Sequence, residues 1–231
     1  MSKSSILFDL DGTLIDTAAD FVVVMQSMCK DKGITAPSAE AIRNTVSDGA
    51  RALVTLCFHI KEGDIGFEDL RNELLDRYEE ELGQAAFLFD GMQAVLEKCQ
   101  HHNIAWGIVT NKPWRFTEPL IKRIFSDDTL APLYPASIIC PDHVTITKPD
   151  PEGLLKAVQE LNSSSKNCFY VGDHRRDIEA GINANMKTIA CRYGYIKDDD
   201  AIETWQADFI IDSASELSAI IDSAFAQVSP A

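Results

Sequence analysis

Two aspartates stand two positions apart at the end of an apolar run, in Ile6-Leu7-Phe8-Asp9-Leu10-Asp11-Gly12-Thr13-Leu14. A buried strand that ends in carboxylates leaves the core there, because a charge is costly to bury unless it is paired or bound to a cation. In extended backbone, residues i and i+2 share a face, so Asp9 and Asp11 are expected to converge on one site. Gly12 permits a sharp turn, and Thr13 adds a hydroxyl and a backbone N–H. Further polar groups follow other apolar runs: Thr110-Asn111 after Ala105–Val109, and Gly172-Asp173 with Asp177 after Cys168–Val171. Lys148 precedes Pro149 at the expected start of a helix. Singly these read as an acidic turn, a polar turn, a helix cap and a solvated cation. Together they point to metal-assisted phosphoryl transfer, with carboxylates for a hard cation and a lysine and hydroxyl for an anion.

The elements that must position these groups follow from periodicity. After Leu14 the pattern turns helical. Asp16 or Thr17 can cap a helix through Phe21, Val24, Met25 and Met28 that ends near Gly33. Ala41–Val46 and Ala50–Phe58 read as short helices around Ser47-Asp48-Gly49, and Phe67–Leu82 carries apolar residues at helical spacing. Residues 15–85 therefore form a helical insertion without a convincing strand. From residue 88 strands and helices alternate. Strands are expected at Ala105–Val109, Ala136–Cys140, Cys168–Val171, Lys187–Cys191 and Asp208–Ile211. Helices are expected at 92–102, 115–125, Pro151–Leu161, Asp177–Asn185 and Ala214–Ala226. This alternation predicts an α/β fold with a Rossmann-like, doubly wound parallel sheet, built from residues 1–14 and 86–231. Ligands bind such sheets beyond the carboxyl ends of the strands, where the polar groups fall.

Composition narrows the partners. The formal net charge of −15 argues against nucleic acid, whose phosphates need a basic face. It also means that an anionic substrate needs local cations. No run of about 18 apolar residues is present, so no membrane span is expected. The chain enters an apolar strand after a few polar residues, which predicts no cleavable signal. Six cysteines without a C-x-x-C pair read as reduced core thiols, the usage of a cytoplasmic protein. The histidines at 59, 101, 102 and 143 lack metal-ligand spacing.

Asp9-Leu-Asp11-Gly-Thr, Thr110-Asn111, Lys148 and Gly172-Asp173-x-x-x-Asp177 resemble, in order and spacing, the four motifs of the haloacid dehalogenase-like superfamily. The helical segment 15–85 resembles its C1 cap. The chain as a whole is most similar to the phosphoglycolate phosphatase group, in a branch that includes N-acetylmuramic acid 6-phosphate phosphatases of peptidoglycan recycling. Gly49-Ala50-Arg51-Ala52, Val109-Thr110-Asn111-Lys112-Pro113, Ile139-Cys140-Pro141-Asp142-His143 and Arg192-Tyr193-Gly194-Tyr195-Ile196 carry that likeness. The resemblance implies that Asp9 attacks phosphorus to form an aspartyl-phosphate, and that Asp11 protonates the leaving oxygen and later activates water. It implies Mg²⁺ held by Asp9, the backbone carbonyl of Asp11 and Asp173. Thr110, the Asn111 backbone and Lys148 would bind phosphoryl oxygens, and Asp177 would orient Lys148 or a metal-bound water.

The implied substrate is a small phosphorylated acid or sugar acid, phosphoglycolate first and N-acetylmuramic acid 6-phosphate as the alternative, turned over by a monomer or homodimer. Gly49 and Arg51 resemble part of a cap loop that contacts substrate, Arg51 being suited to a carboxylate. Lys112, Trp114 and Arg115 are candidates for another pocket wall. His174, where many relatives carry a small hydroxyl residue, is expected to face solvent. A sugar phosphomutase would keep the same acidic pair but return the phosphoryl group to a sugar. A dehalogenase has no need of Asp11 and Asp173 together, and a non-catalytic module has no need of the intact set.

Overall fold

The apolar run ahead of Asp9 is a strand. Lys3–Phe8 (β1) lies between two parallel neighbours, and Ile6, Leu7 and Phe8 are buried, as in the centre of a sheet covered on both faces. The computed structural model describes residues 3–197 and 200–225. A two-residue strand, Ile15–Asp16 (β2), is followed by four helices, Ala18–Asp31 (α1), Ala39–Arg43 (α2), Ala50–Phe58 (α3) and Phe67–Glu81 (α4). Phe87–Leu88 (β3) then pairs with β2. Alternation begins with Met92–His101 (α5), Ala105–Val109 (β4), Trp114–Ile124 (α6) and Ile138–Ile139 (β5). It continues through Glu152–Glu160 (α7), Ser163–Gly172 (β6), Arg175–Asn183 (α8), Lys187–Cys191 (β7), Phe209–Ile211 (β8) and Glu216–Phe225 (α9).

Six strands form one sheet in the order β5-β4-β1-β6-β7-β8, with parallel pairings throughout. The order reverses at β1, which is where a doubly wound sheet opens its ligand crevice. Register sets the height of the groups there. Phe8 pairs with Ile108 of β4 and Val171 of β6, so Asp9, Thr110 and Asp173 emerge within a residue of one level. Leu154, Ala157, Val158 and Leu161 pack with Leu7, Val109, Cys168 and Tyr170 in one core cluster.

The chain divides into two compact units, one running up to Ile15 and on from Leu88, the other Asp16–Phe87. In the helical unit the rings of Phe21 and Tyr78 stack at 3.9 Å between centroids, 7° from parallel. Asp20 is fully buried and accepts the N–H groups of Gly83 (2.6 Å), Ala85 (2.8 Å) and Ala86 (3.0 Å), so its charge is spread over the amides that follow α4.

Several boundaries differ from the sequence reading. Ile15–Asp16 is a strand, although residues 15–85 showed only helical spacing; two residues are too short to leave a periodic signal. β6 starts at Ser163 rather than Cys168, because Ser163 pairs with Lys3 and accepts a hydrogen bond from Ser5 Oγ at 2.8 Å. β5 is shorter than Ala136–Cys140, since Cys140 already turns into a 3₁₀ segment at Pro141–His143. α8 starts at Arg175 rather than Asp177, with His174 as its N-cap. Ala226, expected to end the last helix, lies outside the described residues.

Candidate active site

Asp9 is the first residue past β1, and its backbone N–H still donates to Val171 O in the sheet at 2.8 Å. Its side chain is buried, accepts the Leu10 N–H at 2.7 Å and meets Lys148 Nζ at 2.8 Å. Lys148 Nζ also pairs with Asp177 Oδ1 at 2.7 Å and donates to the Tyr170 hydroxyl at 2.8 Å. Tyr170 in turn donates to the Val109 carbonyl at 2.9 Å, which ties β6 to β4 beneath the site. Lys148 lies four residues before α7 and not at its first turn. It is held instead by Asn111, whose amide donates to Lys148 O and accepts from Lys148 N–H, both at 3.2 Å.

Asp173 follows β6. Thr13 Oγ1 donates to its Oδ1 at 3.0 Å and the Tyr195 N–H to its Oδ2 at 2.8 Å. Gly12, at φ 79°, lets the Asp9–Thr13 turn pass this carboxylate; a Cβ there would lie 2.1 Å from Asp173 Oδ2. One carboxylate oxygen from each of Asp9, Asp173 and Asp177 lies within 4.8 Å of the others, and all three residues are buried.

Their charge is unevenly met. Lys148 pairs with Asp9 and Asp177, whereas Asp173 accepts from neutral groups. Burial, then the charge of Asp177, pushes Asp9 up to about 6 against the pull of Lys148. Burial, then Asp9 and Asp177, pushes Asp173 up to about 8. For Lys148 burial acts downward, but Asp177 and Asp9 outweigh it and raise the ammonium above its usual range. Three buried carboxylates with oxygen donors converging, two of them (Asp9 and Asp173) resisting ionisation, fit a hard divalent cation such as Mg²⁺.

Asp11 does not join that cluster. The strand ends at Phe8, and the next turn is closed by Leu14 N–H and Ile15 N–H to Leu10 O, at 3.1 and 3.0 Å. The side chain is thereby turned to Lys112, with Nζ–Oδ1 at 2.9 Å. Asp9 and Asp11 are thus held by different lysines, Lys148 and Lys112. Lys112 is buried and its N–H donates to Thr110 Oγ1 at 3.1 Å, so the hydroxyl after β4 and the cation that holds Asp11 form one turn. Its sequence position gave no sign of that pairing, nor did Tyr170 stand out in an apolar strand.

His174 is not the solvent-facing group expected. It is half-buried, its Nδ1 accepts the Arg176 N–H at 3.2 Å, and Asp177 Oδ2 accepts the His174 N–H at 3.0 Å. This reciprocal cap starts α8 and fixes the second oxygen of Asp177. His-x-x-Asp spacing was the signal for it. Trp114 opens α6, its N–H donating to Asp142 Oδ2 at 2.7 Å and its ring lying edge-on to His143, 4.9 Å between centroids. Gly49 and Arg51 belong to the helical unit. Gly49, at φ 84°, caps α3, and Arg51 is exposed and ion-paired with Glu62.

Charge and geometry thus combine a buried carboxylate beside a lysine, a cluster of converging carboxylate oxygens, and a hydroxyl–lysine turn holding a further carboxylate. Comparison with known proteins agrees with that chemistry. The family model for haloacid dehalogenase-like hydrolases matches residues 6–191. An N-acetylmuramic acid 6-phosphate phosphatase of Pseudomonas putida is 43% identical, over 97% of this chain and 98% of its own length. A phosphoglycolate phosphatase of Xanthomonas campestris is 35% identical over 92% and 94%. A crystal structure of a predicted phosphoglycolate phosphatase from Haemophilus somnus shares the fold, with a TM-score of 0.80 at 22% identity over 95% of this chain and 98% of that one. Among the described residues, no helix is long and apolar enough to cross a membrane. By the family-model match over residues 6–191 and the 43% identity along nearly its whole length, the chain belongs to the haloacid dehalogenase-like hydrolase family.

Proposed function

We propose that this chain is a Mg²⁺-dependent phosphatase that removes phosphate from a small phosphomonoester through a covalent intermediate on Asp9. The observation that carries the reading is the buried set Asp9, Lys148, Asp173 and Asp177, joined by ion pairs of 2.7–2.8 Å and converging carboxylate oxygens. Asp9 attacks phosphorus, splitting a very slow hydrolysis into two displacements. Lys148 and the Thr110 hydroxyl bind oxygens of the transferring group, supplying the local positive charge that a chain of net charge −15 needs. Asp11, held by Lys112, protonates the leaving oxygen and then takes the proton of the attacking water, which releases phosphate and restores Asp9. Asp9, Asp173 and the Asp11 carbonyl would hold Mg²⁺, with Asp177 fixing Lys148. The cation would supply the charge that ionises the buried acids and screens the phosphoryl dianion from its nucleophile.

The helical unit acts as the cap, and Arg51 as a partner for a substrate carboxylate, in competition with Glu62. Both phosphoglycolate and N-acetylmuramic acid 6-phosphate carry a carboxylate. The 43% identity to the Pseudomonas putida enzyme, against 35% for the phosphoglycolate phosphatase, favours the amino-sugar acid. The buried thiols fit the expected cytoplasmic setting. Measuring kcat/KM for both compounds, hexose phosphates and nucleoside monophosphates, with and without EDTA, tests the reading. Turnover that survives EDTA or Asp9→Asn overturns the mechanism, and a preference for phosphoglycolate overturns the substrate.

A further inference from the structure

The segment Arg192-Tyr193-Gly194-Tyr195 follows β7 and belongs to none of the four strand-end motifs, yet it closes on Asp173. The Tyr195 N–H donates to Asp173 Oδ2 at 2.8 Å, and Thr13 Oγ1 donates to Asp173 Oδ1 at 3.0 Å. These two donors are themselves linked, because the Tyr193 hydroxyl donates to the Thr13 carbonyl at 3.1 Å. From Asp173 the path runs through Thr13, Tyr193 and Tyr195 and back, a closed ring that engages both carboxylate oxygens.

Packing leaves this ring little freedom. A Cβ on Gly194 would stand 2.2 Å from Asp173 Cβ and 2.6 Å from the Gly12 carbonyl oxygen, so a side chain at that position would push the loop away. The Tyr193 ring lies 4.9 Å from that of Phe89, whose N–H donates to Leu14 O at 3.2 Å. Tyr193 is thus held at its ring and at its hydroxyl, on both sides of the Thr13–Leu14 bond.

We propose that Tyr193 is a positioning residue for the cation site, fixing both oxygens of Asp173 through Thr13 and through its own loop. The inference rests on the Mg²⁺ reading given above. Its chemistry differs from that of Lys148. The clamp uses neutral donors, so it orients the carboxylate without competing for the charge that a cation must find there. Groups that orient a metal ligand are worth about 10- to 100-fold in metal affinity. Mg²⁺ demands near-octahedral geometry whereas Ca²⁺ tolerates distortion, so loosening the clamp should discriminate between them.

Calorimetric titration of the full chain with Mg²⁺ and with Ca²⁺ tests this on the parent, Tyr193→Phe, Thr13→Val, Thr13→Ser and the Tyr193→Phe/Thr13→Val double variant. Phenylalanine keeps the ring packing and removes only the hydroxyl. The expected result is Mg²⁺ binding weakened about 10-fold or more in Tyr193→Phe and in Thr13→Val, with Ca²⁺ binding changed by less than about threefold. Thr13→Ser restores parental affinity, and the double variant is no weaker than the worse single one, as expected of residues acting through one unit. Mg²⁺ affinity of Tyr193→Phe within about twofold of the parent, equal losses for both ions, or losses that multiply in the double variant would overturn the clamp alone. A parent that binds neither ion overturns the clamp together with the metal reading.

Discussion

Replacing Asp173 by asparagine should stabilise the metal-free protein, and more so as the pH rises. Asp173 is buried among other acids, which pushes its carboxyl from 3.8 up to about 8. Below the lower value it is protonated whether the chain is folded or not, so it contributes no pH dependence there. Between the two values the folded state holds a proton that the unfolded chain has released, so stability falls as pH rises, and the loss is complete above about pH 8. A shift from 3.8 to about 8 is about four units, and at about 1.4 kcal/mol per unit its full penalty is about 6 kcal/mol. Asparagine carries no such charge and can still accept from Thr13 or Tyr195. For a chain of this length each kcal/mol moves Tm by about 2–4 °C, so even half of that penalty amounts to several degrees. The assay is thermal unfolding of both proteins in EDTA from about pH 4.5 to about pH 9, repeated with excess Mg²⁺. In EDTA the variant should gain on the parent across this range. With Mg²⁺ at about 100 times its Kd the parent should recover about 2.7 kcal/mol while the variant recovers little. A difference between the two proteins that is flat with pH, or that favours the parent at high pH in EDTA, would refute the reasoning.

Asp11→Asn should lower kcat/KM for an alkyl phosphate by about 10²-fold or more, and by much less for p-nitrophenyl phosphate, whose leaving group needs no proton; equal losses would remove Asp11 from leaving-group protonation. Lys148→Met would leave Asp9 and Asp177 buried without their 2.8 and 2.7 Å partner. That should destabilise the fold by about 3–5 kcal/mol, and a chemical denaturation midpoint close to the parent's would contradict it. Asp20→Ala orphans the amides of Gly83, Ala85 and Ala86. At about 1–3 kcal/mol for each buried unsatisfied group, hydrogen exchange at those amides should accelerate strongly; unchanged protection would show that the carboxylate is not what holds them.

The strand ends were legible because a parallel sheet buries its strands on both faces. Each leaves a continuous apolar run, and the first polar residue after it marks the sheet's edge. Asp9, Thr110 and Asp173 were found in this way, and β1, β4 and β6 are indeed adjacent. Partnerships across the chain left no such trace. Lys112 meets Asp11 and Tyr170 meets Lys148 only because parallel strands bring distant segments together. The reading of His174 failed for a local reason: at an N-cap its ring nitrogen serves the backbone, and that role competed unseen with exposure. Ser163 was missed because a serine-rich stretch reads as a loop until a neighbouring strand pairs with it.

The short strands β2 and β3, though only two residues each, make the insertion of the helical unit topologically silent. The chain departs at Ile15–Asp16 and returns at Phe87–Leu88, and because these strands pair, its exit and return lie about one ladder spacing, near 4.8 Å, apart. To the parallel sheet, everything between them is equivalent to a tight turn. Such a junction accepts a longer, shorter or wholly different insert without moving the strand that carries Asp9. A lineage can therefore exchange one helical unit for another as a single cassette, leaving the register of β1 with β4 and β6 as it was.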